Sequence, residues 1–171
     1  MRGPKAVQDD QRREWLLWIL YAAELNEISP VTAFEAVRNS IVGSAVPPTE
    51  REATELFRIE RFDDHLPSTE DWEAGEAGVE TVVRFIADNK ARIDEVIRVA
   101  SPRWRIDRMP PIDRSLLRIG VAEFIGGRKP HPKSTLNGLV EVAKRYGEES
   151  SPRFVNGILD QIRRNLQLPF A

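Results

Sequence analysis

The sequence predicts an all-α fold, a compact helical bundle, and two observations lead to that prediction. Apolar residues recur at helical spacing along most of the chain, as in Leu136, Leu139, Val140 and Ala143. No segment shows the alternation of apolar and polar residues between turns that predicts a β-strand. A chain of 171 residues suits one domain, or two small lobes that share a core.

The N-terminal half is expected to begin with three helices. The first, over about 9–25, is apolar nearly all round, so it is expected to be buried or to face a partner. The second, over about 30–41, follows a serine cap and a first-turn proline, and the third begins near Pro47. The acidic segment over about 63–78 is the least regular and is expected to be a loop or a short extra helix.

Helical spacing continues in the C-terminal half. One helix is expected over about 79–89 and a second directly after it, and Asn89 either breaks the first or caps the second. Another helix is expected over about 112–126. Trp104, which lies before it, is interpreted as a core residue that bridges two lobes rather than as a stacking platform for a nucleic-acid base.

The segment 144–159, KRYGEESSPRFVNGIL, carries the most functional information. Gly147 is expected to end one helix in the left-handed conformation, and Ser151 is expected to cap the next helix. Asn156 and Gly157 interrupt the apolar stripe of that last helix. Glycine inside a helix costs about 1 kcal/mol relative to alanine, so another group is expected to approach closely there.

The composition excludes several classes of protein. Hydrophobic residues make up 41% and charged residues 30% of the chain, as is usual for globular proteins. No apolar run is long enough to span a membrane, and the N-terminus lacks the apolar segment of a signal peptide. Cysteine is absent, so disulfides and thiolate metal sites are excluded. The expected location is the cytoplasm.

The net charge of −2 conceals an asymmetry between the two halves. Residues 1–91 carry 10 basic and 18 acidic side chains, whereas residues 92–171 carry 15 basic and 9 acidic side chains. A basic half can supply phosphate contacts while an acidic half faces a basic protein partner. The alternative is that solvated helix faces segregate by chance.

No catalytic, cofactor or metal site is predicted. The two histidines, His65 and His131, lie in expected loops and outside GxSxG or HExxH patterns. The Gly-Gly-Arg-Lys sequence at 126–129 lacks the spacing of a phosphate-binding loop and is interpreted as a basic surface turn. Adjacent acidic pairs such as Asp9-Asp10 are interpreted as solvated charge.

The segment 144–159 resembles the C-terminal signature of the NusB family of bacterial transcription antitermination factors. The sequences at 104–109 and 112–120 are similar to the central region of that family, and the match holds in order and spacing from about 92 to 162. The resemblance implies one helical domain over 1–171 with two three-helix subdomains. The N-terminal lobe would cover about 1–90, with the acidic insertion, and the C-terminal lobe about 91–171.

The resemblance also implies a function without catalysis. Members bind boxA-like single-stranded RNA together with the ribosomal protein NusE, join the RNA polymerase elongation complex and support ribosomal RNA transcription. The resemblance implies RNA contact by the N-terminal arm and by the start of the last helix. The residues expected to contact RNA are Arg2, Lys5, Arg12, Arg13, Lys144, Arg145, Arg153, Phe154 and Asn156.

A second group of residues is expected to contact a protein partner or a second copy of the chain. For the arginines and the glutamate of this group, the alternative is intramolecular ion pairing. The group consists of Trp15, Trp18, Tyr21, Arg114, Arg118 and Glu123.

The chain departs from the family pattern at three places, and one of them is the first helix, whose residues 15–21 are more apolar and bulkier than the usual small-residue face of the family. Asp9 and Asp10 interrupt the run of arginines that is typical of the N-terminal arm, and Gly138 stands where an acidic residue is usual. Acidic residues in the arm reduce phosphate binding, so an alternative is a protein–protein adaptor with lost or weakened RNA binding. A third alternative is a fragment related to the RNA-binding domain of a ribosomal RNA methyltransferase, without the cofactor loop or catalytic cysteine.

Overall fold

The structure, a computed structural model, describes residues 8–43, 67–126 and 129–171. Within these ranges it contains helices and no strands, which confirms the predicted all-α class. A short 3₁₀ turn at Ile106–Arg108, which was not predicted, precedes the fifth helix. The α-helices are α1 (Asp9–Leu25), α2 (Pro30–Val42), α3 (Thr69–Asp88), α4 (Lys90–Ala100), α5 (Pro111–Ile125), α6 (Pro132–Tyr146) and α7 (Ser151–Asn165).

Helices α1 and α2 begin and end close to the predicted positions. Ser29 caps α2, because its hydroxyl accepts a hydrogen bond of 3.0 Å from the Thr32 N–H. The helix predicted at Pro47 lies outside the described residues. No helix in the described ranges is long and apolar enough to cross a bilayer.

The acidic segment forms the first half of α3, which corrects the prediction of a loop or a short extra helix. The hydroxyl of Ser68 accepts a hydrogen bond from the Asp71 N–H and caps the helix. Glu70 and Asp71 lie in the first turn, where the helix dipole favours negative charge. Trp72 and Gly75 are buried, so tertiary packing holds this acidic segment in place. Residues 63–66 are outside the described ranges.

Helix α1 is buried by packing within the chain. Trp15 and Trp18 are each 1% exposed, and the ring centroids of Trp15 and Trp72 lie 5.3 Å apart. The centroid of Phe34 on α2 lies 5.9 Å from that of Trp72. The prediction that Trp15 and Trp18 contact a protein partner is therefore wrong, because both side chains are buried within the chain, where α1 packs against α2 and α3.

Helix α5 occupies the centre of the fold. It packs against α1, α3, α4, α6 and α7, and ten of its fifteen residues are buried. A Cβ added at Gly120 would lie 2.5 Å from Cδ2 of Leu159 and 3.1 Å from Cδ1 of Leu139. The glycine therefore allows α6 and α7 to pack closely on α5. One cluster of buried apolar residues extends through all seven described helices, and the division into two lobes stays a prediction.

The turn between α6 and α7 differs in detail from its prediction. Gly147 has a φ of −84°, which is not left-handed. Glycine is favoured there by space, because an added Cβ would lie 2.5 Å from Cβ of Ser151 and 2.8 Å from the carbonyl oxygen of Ala143. Ser151 lies inside α7, and its hydroxyl accepts a hydrogen bond from the Glu148 N–H. Ser151 therefore closes the turn rather than capping α7.

Candidate functional site

The first turn of α1 carries acids and arginines that neutralise one another. Arg12 pairs with Asp9, and Nη1 of Arg13 lies 2.7 Å from Oδ1 of Asp10. Both pairs follow from the i, i+3 spacing, which places their side chains on the same side of the helix. Arg2 and Lys5, the other arm residues predicted to contact RNA, lie outside the described residues.

Arg13 is buried, which corrects its prediction as an RNA-contact residue. Its side chain is 1% exposed, and its Nε and Nη2 each lie 2.9 Å from a carboxylate oxygen of Glu123. Thr135 donates a 2.6 Å hydrogen bond to the same carboxylate. Burial alone would lower the pKa of Arg13, but hydrogen bonds and attraction from Glu123 and Asp10 outweigh it and raise the pKa. Arg13 therefore joins helices rather than meeting a phosphate.

Gly138 on α6 makes room for this group. A Cβ added there would lie 2.3 Å from Nη1 of Arg13 and 2.3 Å from Oδ1 of Asp10. The missing side chain thus allows the first turn of α1 to lie against α6. Gly138 and Asp10, two of the departures from the family pattern, meet at one place, which the sequence did not reveal.

The basic residues at the end of α6 remain near the surface. Lys144 lies 2.6 Å from Glu141, and Arg145 pairs with Glu14 of α1. The Lys144 and Arg145 side chains are 55% and 65% exposed. Exposed ion pairs are worth only about 0–1 kcal/mol, so both cations can exchange their partner for a phosphate.

The start of α7 presents a different kind of surface. Arg153, Asn156 and Gly157 are exposed, and Phe154 is half-buried. Within the described residues Arg153 forms no ion pair, unlike the other cations predicted to contact RNA there. The group expected to approach Gly157 is not part of this fold, because a Cβ added there would meet no atom within 4 Å.

Trp104 lies on the surface beside Phe154, so its interpretation as a lobe-bridging core residue is wrong. It is 59% exposed, and the two ring centroids lie 5.4 Å apart with planes at 83°. The turn between α4 and α5 carries Trp104 outward, because Trp104 N–H donates to the Ser101 carbonyl at the end of α4. The sequence pattern did not indicate this exposure.

Arg114 and Arg118 form contacts within the chain. Arg114 pairs with Glu24 of α1 and donates a 2.8 Å hydrogen bond to the Ile106 carbonyl. Arg118 pairs with Asp94 of α4 at 2.8 Å. These contacts agree with the alternative that the two arginines form ion pairs within the chain. Contact with a protein partner by Arg114, Arg118 or the half-buried Tyr21 stays a prediction, whereas Glu123 is buried and not available for such a contact.

One depression lies beside these arginines, and a second lies near Asp113. The first, of about 600 Å³, is lined mainly by charged side chains of α4, α5 and the turn between them, including Lys90, Arg98 and Arg105. The other, of about 360 Å³, lies between Tyr21 and Tyr146 and reaches the buried carboxyl group of Asp113. Among the described residues, no cluster of histidines and carboxylates has the composition of a metal site.

The described helices form a bundle around a central buried helix, with a basic and aromatic surface at the start of the last helix. That combination defines a class of all-helical interaction proteins. The NusB family model matches residues 10–164, and the chain belongs to the NusB family.

The chain is similar to the transcription antitermination protein NusB of Sorangium cellulosum, with 45% identity over 92 residues, 54% of this chain and 66% of the relative. NusB of Geobacter sulfurreducens is 42% identical over 94 residues, 54% of this chain and 67% of the relative. The first of these alignments spans slightly less than two thirds of its relative.

Solved structures show the same fold over nearly the whole chain. A structure of NusB from T. maritima superposes with a TM-score of 0.63 at 23% identity and covers 92% of each chain. A structure of NusB and NusE in complex with double-stranded RNA superposes with a TM-score of 0.60 at 25% identity. That match covers 91% of this chain and 96% of the solved chain.

Proposed function

We propose that this protein is a non-catalytic transcription antitermination factor that binds boxA-like single-stranded RNA together with NusE. In this role it joins the RNA polymerase elongation complex in the cytoplasm and supports ribosomal RNA transcription. Family membership and the antitermination relatives support the proposal. So does the solved complex of a NusB with NusE and RNA.

One observation on this chain carries the RNA-binding part of the proposal. Arg153 is exposed at the first turn of α7 and has no carboxylate partner among the described residues. The free N–H groups of a helix N-terminus, together with an unpaired guanidinium, favour a phosphate. Asn156 adds an exposed amide one turn further along α7. The α7 start therefore supports phosphate binding, although Arg13 is buried.

The adaptor alternative rests on the first turn of α1. The pairing of Asp9 with Arg12 and of Asp10 with Arg13 removes much of the positive potential expected from the N-terminal arm. We prefer the RNA-binding role because Arg153, Lys144 and Arg145 lie on other elements, which this neutralisation does not affect.

The test is the salt dependence of RNA binding. We expect the protein to bind a boxA-like RNA more tightly than a scrambled RNA, and more tightly again when NusE is present. Arg153→Gln should reduce the slope of log affinity against log salt by about 0.7, the value for one phosphate contact on a single strand. Fluorescence anisotropy titrations between about 50 and 200 mM salt measure this slope.

Arg84→Gln is the matched control, since Arg84 is an exposed arginine on α3 and is paired with Glu80. It should leave both the affinity and the slope unchanged. If the protein shows no preference for boxA-like RNA with or without NusE, the RNA-binding proposal is wrong. Capture of NusE that survives ribonuclease treatment would then favour the adaptor.

A further inference from the structure

Trp104 differs from the other tryptophans of the chain. The sequence contains four tryptophans, and Trp15, Trp18 and Trp72 are each 0–1% exposed. Trp104 is 59% exposed. A large aromatic side chain that stays exposed to water does not contribute the stabilisation that its burial would give. An exposed aromatic surface commonly marks a binding site.

The exposed ring is held in place by its neighbours. The backbone N–H of Trp104 donates a 3.0 Å hydrogen bond to the Ser101 carbonyl, and the Ser101 hydroxyl bonds to Ile97 of α4. The Phe154 ring packs against the indole in an edge-to-face arrangement, with planes at 83°. A ring that is already fixed loses little conformational entropy when a ligand stacks on it.

Positive charge lies next to each ring of this aromatic pair in the chain. Arg103 precedes Trp104 and Arg153 precedes Phe154, so each ring has an exposed arginine next to it in the chain. Neither arginine forms an ion pair within the described part of the molecule. Proteins that bind single-stranded nucleic acids combine these features, because bases stack on aromatic rings while cations contact the backbone.

The surface beside Phe154 is also open. Gly157 lies three residues after Phe154 and therefore on the same side of α7, and an added Cβ there would touch nothing. The exposed backbone leaves space for a flat ligand to approach the ring pair.

We propose that Trp104 is a base-stacking residue, on which an unpaired base of the bound RNA strand stacks while Phe154 braces the indole. This inference rests on the proposed RNA-binding function and adds a specific contact to it. Arg103 and Arg153 contact the phosphates on either side of the stacked nucleotide. Because every base has a π-face, the contact contributes affinity with little sequence preference.

The test uses the full-length protein, a boxA-like RNA and the intrinsic fluorescence of tryptophan. We expect RNA to quench a fraction of the emission and to protect that fraction from acrylamide. The fraction should be absent from Trp104→Phe, because the remaining tryptophans are buried. Trp104→Ala should weaken binding by about 5- to 150-fold, as expected for one lost stacking contact, while Trp104→Phe retains most of the affinity.

Two further measurements separate stacking from other effects. Trp104→Ala should leave the salt slope unchanged, since it removes no phosphate contact. We also expect a result from a series of RNAs that each lack the base of one nucleotide. At one position, removing the base should weaken binding by the unaltered protein but should not weaken binding by Trp104→Ala any further. Val99→Ala is the control, because Val99 is a 57% exposed apolar residue on α4. This variant should bind RNA as tightly as the unaltered protein.

The outcomes distinguish this inference from the function on which it rests. If the unaltered protein does not bind the RNA, both the proposed function and the stacking role are wrong. If it binds and Trp104→Ala binds equally well, only the stacking role is wrong. If Trp104→Ala weakens NusE binding without RNA and leaves RNA binding intact, the ring contacts protein, which also overturns the inference.

Discussion

Asp113 is a carboxyl group placed where its charge is unfavourable. It is 3% exposed, and its Oδ1 has no hydrogen-bond partner among the described residues. Burial raises the pKa of Asp113 and the negative charge of Glu148 adds to the effect, while a hydrogen bond with Ser151 works in the opposite direction. A raised folded-state pKa means that folding favours the protonated form.

We therefore predict that Asp113→Asn stabilises the protein at neutral pH. A group with a raised folded-state pKa stabilises the fold below its unfolded pKa, and this contribution is lost as pH rises through the folded pKa. Asparagine carries no charge, so Asp113→Asn should have the higher free energy of unfolding above the raised folded-state pKa of Asp113. This difference between the two proteins should vanish below the ordinary aspartate pKa of 3.8. Urea unfolding of both proteins as a function of pH measures the difference.

Asp160→Asn is a control of opposite sign. A hydrogen bond from Arg164 lowers the pKa of Asp160, and Arg163 contributes in the same direction. This substitution should destabilise the protein at neutral pH, and the difference should disappear as pH falls through the lowered pKa. If Asp113→Asn behaves like Asp160→Asn, the Asp113 carboxylate is stabilising rather than unfavourable.

At the scale of the helix, two glycines differ in whether packing requires them. Gly120 of α5 lies in the core, where a Cβ would lie 2.5 Å from a methyl group of Leu159. Gly157 of α7 is exposed, and a Cβ there would touch nothing. The fold requires Gly120, whereas Gly157 costs helix stability without a compensating contact in this structure.

We predict that Gly157→Ala raises the free energy of unfolding by about 1 kcal/mol, because alanine is the better helix former. The added methyl group occupies the surface beside Phe154, so RNA binding should weaken at the same time. Denaturant unfolding and anisotropy titration of the same preparation measure the two effects.

Gly120→Ala should have the opposite effect on stability and lower the free energy of unfolding by about 1–3 kcal/mol through overpacking of the core. A loss of stability in Gly157→Ala would show that Gly157 has a structural role, contrary to our interpretation.

At the scale of the whole molecule, one buried charge cluster joins three helices. Arg13 of α1, Glu123 of α5 and Thr135 of α6 share hydrogen bonds of 2.6–2.9 Å. Arg13 and Glu123 are 110 residues apart in the sequence. The first turn of α1, which leads to the N-terminal arm, is therefore fixed to the central helix of the bundle.

We predict that Glu123→Gln destabilises the protein by about 3 kcal/mol, because it leaves the buried Arg13 without its main counterion. Equilibrium unfolding in urea measures the loss. Glu14→Gln is the control, since Glu14 pairs with the exposed Arg145 and should cost less than about 1 kcal/mol. Equal losses in the two variants would mean that burial adds nothing to the Glu123 ion pair.

The helical class, most helix positions in the described ranges and the family signature could be predicted from the sequence alone. Helix periodicity and caps are local properties, so Ser29 and the apolar spacing of α6 could be recognised without a structure. The start of α3 carries a local cap signal at Ser68, but the burial of Trp72 against α1 and α2 depends on residues far away in the chain and could not be recognised in the sequence.

The packing of the helices determines which side chains of the same type are buried and which are exposed, and the sequence did not predict this. Arg13 and Arg153 look alike in the sequence, yet one is enclosed beside Glu123 and the other lies open at the start of α7. Trp72 and Trp104 differ in the same way. The physical reason is that burial and ion pairing depend on partners far away in the chain, whose approach no local pattern records.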